Sequence, residues 1–321
     1  MSSRRAELVE LSRRSIKRGS KSFSAASRLF DRQTRERVWL LYAWCRRCDD
    51  IADAQELGGA LGDQSGAAER LARIRALTAK AFAGEATGDP AFDALGVVAK
   101  ECGISPAMAE DVIAGFALDA DDWRPRSTRD LMRYCYHVAG AVGAMMALVM
   151  GVSPHDEDTL DRACDLGFAF QLANIARDVV EDDAAARCYI PIEWLVEEDI
   201  EPGQHTKPHH RQELADMATR LVSLMETHEA AARIGAARLP FRSRWAVLSA
   251  ARIYGEIGRE VRQRGTAAWD HRVSTTKAAK IRHAAAAFVE AAVNKPQVLA
   301  KMPRWTRRDF TAQLDRGEHG G

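Results

Sequence analysis

The sequence predicts an all-α fold, and three observations carry that expectation. Apolar residues recur at helical spacing through nearly the whole chain. No stretch alternates strictly enough to demand a strand. Ala is abundant, and only 10 prolines interrupt 321 residues. Hydrophobic residues make up 46% of the chain, which suits a folded core and argues against disorder. Together these features predict about ten helices in a single domain over 1–321, with a core spanning 15–300 and a tail, 302–321, that frays.

The elements follow in chain order. The opening "MSSRRAELVELSRRSIKRG" has no apolar leader segment, and its glutamates argue against a transit peptide. "ERVWLLYAW" (36–44), "AERLARIRALTAKAF" (68–82) and "AMAEDVIAGFAL" (107–118) each repeat apolar residues at helical spacing. "VAGAVGAMMALVMGV" (138–152) falls short of the ~20 residues a membrane span needs, and Pro154 and charges follow it, so it reads as a buried helix. "LADMATRLVSLMETHEAAARI" (214–234) adds another long periodic run. Breaks fall at Gly58 to Gly66, Gly88 to Pro90, Arg124 to Ser127, Ser153 to Pro154, Ala184 to Arg187, Pro202 to Pro208 and Leu239 to Ser243.

Charge and cysteine usage exclude several classes. A formal net charge of +1 gives no whole-chain case for nucleic acid, so any anion must be met by a local cluster. The six cysteines are spread through apolar or mixed segments, as reduced, packed thiols are. Cys45 and Cys48 form a lone CxxC without the second ligand pair that a zinc site needs. "HTKPHH" (205–210) reads as a solvated loop, because it contains Pro and no acidic ligand spacing. "GGALGDQSG" (58–66) lacks the order of a dinucleotide fingerprint, and neither a GxSxG nor a P-loop pattern occurs.

Two acidic clusters stand out. In "LLYAWCRRCDDIAD" (40–53), Tyr42, Arg46, Asp49 and Asp53 fall on one helical face less than about 90° wide, with Asp50 beside it. In "FAFQLANIARDVVEDDAAARCYIP" (168–191), Gln171, Asn174, Asp178 and Asp182 share an arc of about 80°. Two carboxylates ~6 Å apart repel by about 3 kcal/mol at an effective dielectric of about 20. Magnesium or manganese would offset that cost, since hard cations take carboxylate and amide oxygens and leave positions for phosphate. A solvated helix face is the plainer reading of either run alone. Two such runs, each beside arginines and set in apolar helices, favour a metal. A di-iron bundle would want an ExxH pair, and none occurs. Lys21, Arg46, Arg47, Arg177, Arg187 and Arg272 accompany the clusters and point to phosphate.

These clusters, with "SKSF" (20–23) before the first and "YCYHVAGAVG" (134–143) between them, resemble the squalene and phytoene synthase family from about Ser15 to about Lys280. "RDVVEDDAAARCYIP" followed by "AWDHRVSTT" (268–276) is most similar to the bacterial phytoene synthases. The resemblance implies an isoprenoid synthase fold, a helical bundle around a central cavity with both aspartate motifs at its mouth. It implies head-to-head joining of two geranylgeranyl diphosphates, through prephytoene diphosphate, to 15-cis-phytoene and two diphosphates, in carotenoid biosynthesis.

Residue by residue, the resemblance implies that Asp49, Asp53, Asn174, Asp178 and Asp182 hold Mg2+ (or Mn2+), with Gln171 beside them. Ser20, Lys21, Arg46, Tyr254 and Arg272 would touch diphosphate, and Tyr134 would assist proton movement. Phe23, Phe168 and Phe170 could face carbocations, although single aromatics are commonly core. Ala186 departs from the family pattern, where a glycine is usual.

No NADPH is expected. A squalene or dehydrosqualene synthase acting on farnesyl diphosphate is the alternative within the same chemistry, and a non-catalytic helical scaffold is the alternative outside it. A cytoplasmic protein is expected, and the greasy substrate and product imply transient membrane contact, through the Arg-rich N-terminal helix or the basic tail.

Overall fold

The computed structural model describes residues 3–55, 66–120, 123–295 and 303–311, the side chains of Ser3, Lys21, Ser22, Ala25 and Ala120 excepted. The described residues are helical and contain no strand. In chain order the helices are α1 (Ser3–Gly19), α2 (Lys21–Ala26), α3 (Arg32–Ala52), α4 (Ala67–Ala83), α5 (Pro90–Cys102), α6 (Pro106–Ala120) and α7 (Thr128–Cys135). There follow α8 (Ala141–Val149), α9 (Glu157–Ala184), α10 (Ile192–Glu197), α11 (Arg211–Ala236), α12 (Phe241–Arg264) and α13 (Lys277–Val293). Among the described residues there are thirteen α-helices, where about ten are expected. The short α2 and α10 are below the length at which periodicity shows, and a π turn at Tyr136–Gly140 separates α7 from α8.

Local chemistry sets the ends. Asp31 caps α3 by accepting from the Thr34 N–H, and Asp89 caps α5, with Pro90 following it. Ser127 and Asp130 form a reciprocal capping box on α7. Helix α9 ends in a Schellman turn: the Ala186 N–H donates to the Asp183 carbonyl at 2.9 Å and the Arg187 N–H to the Asp182 carbonyl at 2.8 Å. That turn places Ala186 at φ +60°, a left-handed conformation that costs an L-residue energy.

The chain divides into two compact units. The first comprises Met1–Asp121 and Ala144–Glu157. Here α1, α3 and α5 pack on one another, with α4 against α5 and α6. Leu8 and Ile16 of α1 are buried, so the core begins before residue 15. Arg5 ties the helices together, donating to Glu36 of α3 at 2.8 Å and to Glu101 of α5 at 2.5 Å.

The second unit comprises Asp122–Gly143 and Asp158–Gly321. Helix α12 packs between α11 and α13, and α9 meets the π turn at backbone contact through Gly167 and the start of α8 through Gly143. Buried Asp165 on α9 faces His228 Nδ1 of α11 at 2.7 Å.

Two sequence expectations are corrected here. Residues 303–311 do not fray. Phe310 is buried against Tyr136 and Phe168, and Arg307 and Arg308 donate to Asp161 at 3.0 and 2.9 Å. Residues 312–321 lie outside the described set. The "HTKPHH" loop is not wholly solvated either. His205 is fully buried, 3.8 Å from Cys188 Sγ, while His209 is exposed.

Candidate functional site

The first cluster sits at the C-terminal end of α3 in the first unit. Arg46 donates to Asp50 at 2.9 and 3.1 Å through Nη2 and Nε, and it also pairs with Asp49. Asp50 is buried. Burial drives the Asp49 carboxyl up to about 6; Arg46 opposes the rise, whereas Asp53, Asp50 and Asp119 add to it. Asp53 is the cap residue of α3 and accepts from Gln55 Nε2 at 3.2 Å. The end of α1 closes on the same face, where a Cβ on Gly19 would meet the Tyr42 hydroxyl at 2.5 Å. Phe23 packs against Tyr42 with ring centroids 5.6 Å apart, and Ser20 Oγ accepts from the Phe23 N–H at 3.2 Å. Ser20, Phe23, Arg46 and Asp49 thus share one neighbourhood. The Lys21 side chain lies outside the described residues.

A cavity of about 330 Å³ flanks this end of α3, lined by Ser12, Ser15, Arg18, Arg46, Arg47 and Asp89 among others. Asp49 and Asp53 do not line it, and Arg47 is engaged by Asp89 at 2.7 Å. It is a recess of mixed lining, in which Leu11, Ala43 and Pro90 join the charged groups and Asp50 is the carboxylate of the cluster that reaches it.

The second cluster lies on α9 in the second unit. Gln171, Asn174, Asp178 and Asp182 are each half-buried, while Leu172, Ala173, Ile175, Ala176 and Val179 between them are buried. The polar stripe therefore opens along one face of a helix whose intervening apolar residues are packed in the core. Arg177 donates to Asp178 Oδ1 at 2.7 Å, and Arg272 reaches the same oxygen at 2.8 and 3.1 Å. Burial alone would raise the Asp178 carboxyl; the two guanidiniums outweigh it and hold the group below its usual range.

Trp269 explains how Arg272 arrives there. Its indole N–H donates to the Ala176 carbonyl at 3.1 Å, fixing the "AWDHRV" loop on α9. Tyr254 of α12 stacks on Phe170 with ring centroids 4.2 Å apart. Tyr134 is buried in an aromatic sandwich between Tyr189, at 4.6 Å, and Trp123, at 5.7 Å. Phe168 has no open face, being enclosed by Tyr136, His228 and Phe310, and is a core residue.

Some participants were missed in the sequence. Asp119 adds to the charge around Asp49, and the acid run "LDADD" closing an apolar helix was its only signal. Trp123, Tyr189 and Trp269 gave none, since nothing local marks a tryptophan or tyrosine as a partner of a residue far along the chain. Cys45 and Cys48 are packed thiols, the first pushed up to about 12 and the second well above its usual value, in both cases by burial. Among the described residues no three His, Cys, Asp or Glu side chains converge as a ready-made metal cage.

Comparison with known proteins places this geometry. The family model described as squalene/phytoene synthase matches residues 16–279. The 15-cis-phytoene synthase of Pantoea ananas is 48% identical over 265 residues, covering 82% of this chain and 85% of that one. The phytoene synthase of Pseudescherichia vulneris is 47% identical over 276 residues, covering 85% and 89%. Among solved structures, a dehydrosqualene synthase in complex with ligand superposes with a TM-score of 0.79 at 26% identity, covering 90% of this chain and 98% of that one. Squalene synthase HpnC from Alicyclobacillus acidocaldarius gives a TM-score of 0.72 at 23% identity, with 83% and 97% covered, and shares the fold.

Proposed function

The chain belongs to the squalene/phytoene synthase family, and from that premise we propose that it is a 15-cis-phytoene synthase, a prenyltransferase joining two geranylgeranyl diphosphates head to head. The observation that carries the reading is the polar stripe of α9, where two guanidiniums converge on the half-buried, ionised Asp178. High identity to phytoene synthases over most of the chain supports the C20 substrate.

The chemistry begins when an allylic C–O bond breaks and its electron pair leaves with diphosphate. The allylic cation is attacked by the C2–C3 double bond of the second substrate, and loss of a proton closes the cyclopropane of prephytoene diphosphate. Its diphosphate leaves in turn, and rearrangement with loss of a second proton gives phytoene.

In this reading Arg46 and Arg272 would each meet diphosphate oxygens as negative charge builds on them. Asp178, held ionised, keeps Arg272 pointed at that position. Tyr134 is buried between two aromatic rings, and the reading gives its hydroxyl the role of guiding a proton.

Mg2+, or Mn2+ in its place, fits the donor set. Asp49 is crowded by Asp50, Asp53 and Asp119, and a divalent cation would relieve the repulsion that pushes its carboxyl up. Asp49 and Asp53 of the first unit would hold one such ion, and Asn174, Asp178 and Asp182 of the second another. When bound, Mg2+ supplies charge neutralisation of the leaving diphosphate. No NADPH enters this reaction, because it contains no reduction. Both substrate and product are greasy, so transient contact with a membrane belongs to the same reading. None of the described helices is long and apolar enough to cross one.

The test is incubation with geranylgeranyl or farnesyl diphosphate and Mg2+, with and without NADPH. Phytoene from the C20 substrate alone is the expected product. A folded protein that makes only squalene or dehydrosqualene from the C15 substrate would refute the C20 assignment.

A further inference from the structure

Helix α13 is built the wrong way round for a helix that only packs inward. The side chains it buries are small: Ala287 and Ala291 are fully buried against Leu248 of α12 and Ala236 of α11. Its bulky residues face out. Ile281 is 71% exposed, Phe288 45%, Val289 60% and Val293 55%. On a helical wheel these four and the exposed Ala285 and Ala292 span an arc of about 140°. Phe241, itself exposed, extends the patch from α12 with its ring edge-on to Phe288 at 5.4 Å.

Such a face needs a partner, and the surrounding charge selects one. Lys277 and Lys295 are exposed at the two ends of the stripe. Glu290 is the sole acid of α13, and it is turned inward to Arg252 at 2.6 Å and to Arg233. Arg282 is matched by Glu256 at 2.9 Å. The face is therefore apolar apart from exposed Arg282 within its arc, with lysines at both ends and no exposed carboxylate of its own. A second copy related by a two-fold axis would set this face against itself and oppose lysine to lysine in either helix direction. An anionic bilayer meets both requirements at once, taking the apolar side chains below the headgroups and the lysines at headgroup level.

We propose that the outer face of α13, centred on Ile281, Phe288, Val289 and Val293, docks this protein on an anionic lipid bilayer. The inference deepens the synthase reading by naming the surface through which a greasy substrate and product meet the protein. It adds an apolar surface to the contact expected from the sequence. In α1, Arg13, Arg14, Lys17 and Arg18 are exposed while Leu8 and Ile16 are buried, and in 303–311 Phe310 is buried and Arg307 and Arg308 are held by Asp161.

The test is co-sedimentation of the full chain with vesicles of phosphatidylcholine and phosphatidylglycerol in equal parts, and with phosphatidylcholine alone. The wild type is compared with the double variant Ile281→Asp, Val289→Asp and with Lys277→Glu, Lys295→Glu. The apolar pair is expected to bind the mixed vesicles about tenfold more weakly or worse, and the lysine pair to lose the preference for phosphatidylglycerol. Circular dichroism and phytoene formation from detergent-dispersed substrate should match the wild type in both variants, since none of these residues touches the site. Wild-type vesicle binding that survives the aspartates unchanged, or that is absent, would overturn the proposal. So would a dimer in sedimentation velocity that the aspartates dissociate while vesicle binding persists; the face would then belong to a second copy. Sedimentation needs no substrate, so it decides the surface even where a lack of phytoene has refuted the synthase reading.

Discussion

Replacing Gly167 of α9 by Ala tests whether the site rests on a backbone-to-backbone contact. A Cβ built there would lie 2.6 Å from the Ala139 carbonyl carbon and 2.7 Å from Gly140 Cα. These are main-chain atoms of the π turn, so no rotamer change relieves the clash. Overpacking against a rigid neighbour costs up to about 3 kcal/mol, while Ala in place of a mid-helix Gly returns about 1 kcal/mol of helix propensity. The net expectation is a loss of about 2 kcal/mol, or about 3 °C in Tm for a chain of 321 residues. Thermal and urea melts followed by circular dichroism measure it. Gly258→Ala is the control: its Cβ would meet Met225 Sδ at 2.5 Å, the far end of a flexible side chain, and the loss should be clearly smaller. A Gly167→Ala protein as stable as the wild type, or no less stable than Gly258→Ala, would show that α9 and the π turn can separate at small cost.

Three further outcomes follow from named contacts. Asp178→Asn should lower phytoene turnover about 100-fold or more while costing only about 1–2 kcal/mol in a urea melt, because it removes a charge that aims Arg272; near-normal turnover would refute its assignment. Arg5→Met should cost about 2 kcal/mol at neutral pH. Burial raises the carboxyls of Glu36 and Glu101, but Arg5 with Arg32 or Arg37 more than reverses this and holds both below their usual range. Their contribution is complete above the unfolded carboxylate range and fades as pH falls through the lowered folded values, so the penalty of the variant should shrink below about pH 4; a penalty constant down to pH 3 would contradict it. Ala186→Gly should stabilise by about 0.5 kcal/mol, since Gly relieves the φ of +60° and gives back part of the gain as chain entropy; a Tm that falls would argue against strain at that turn.

What was legible in the sequence was whatever helical spacing alone determines. Residues three, four and seven apart must share a face, so Gln171, Asn174, Asp178 and Asp182 could be grouped before any coordinates, and the structure leaves all four half-buried on a helix whose intervening apolar residues are packed. Arg46 beside Asp49 and Asp50 follows from the same rule. Spacing says that a face exists and is silent on which face turns inward. In α13 the buried residues are alanines and the exposed ones Ile281 and Phe288, the reverse of what size suggests. Long-range contact is equally silent. Phe310 sits among arginines and polar residues, and nothing local signals that its ring ends against Tyr136, far earlier in the chain. The π turn leaves no periodic trace, because one extra residue in a single turn is lost in a run of small apolar side chains.

That extra residue makes the rod from Thr128 to Gly143 a phase shifter. In an uninterrupted α-helix the direction of Tyr134 would fix the direction of Gly143 nine residues on. The i to i+5 bond from the Ala141 N–H to the Tyr136 carbonyl inserts an offset of about 100° between them. Tyr134 can therefore point to Trp123 and Tyr189 while Gly143 presents its bare backbone to Ala163 of α9. The two requirements, one chemical and one steric, are timed separately along a single stretch of chain. Deleting one residue between 136 and 140 would yield a more regular helix with its two ends out of step.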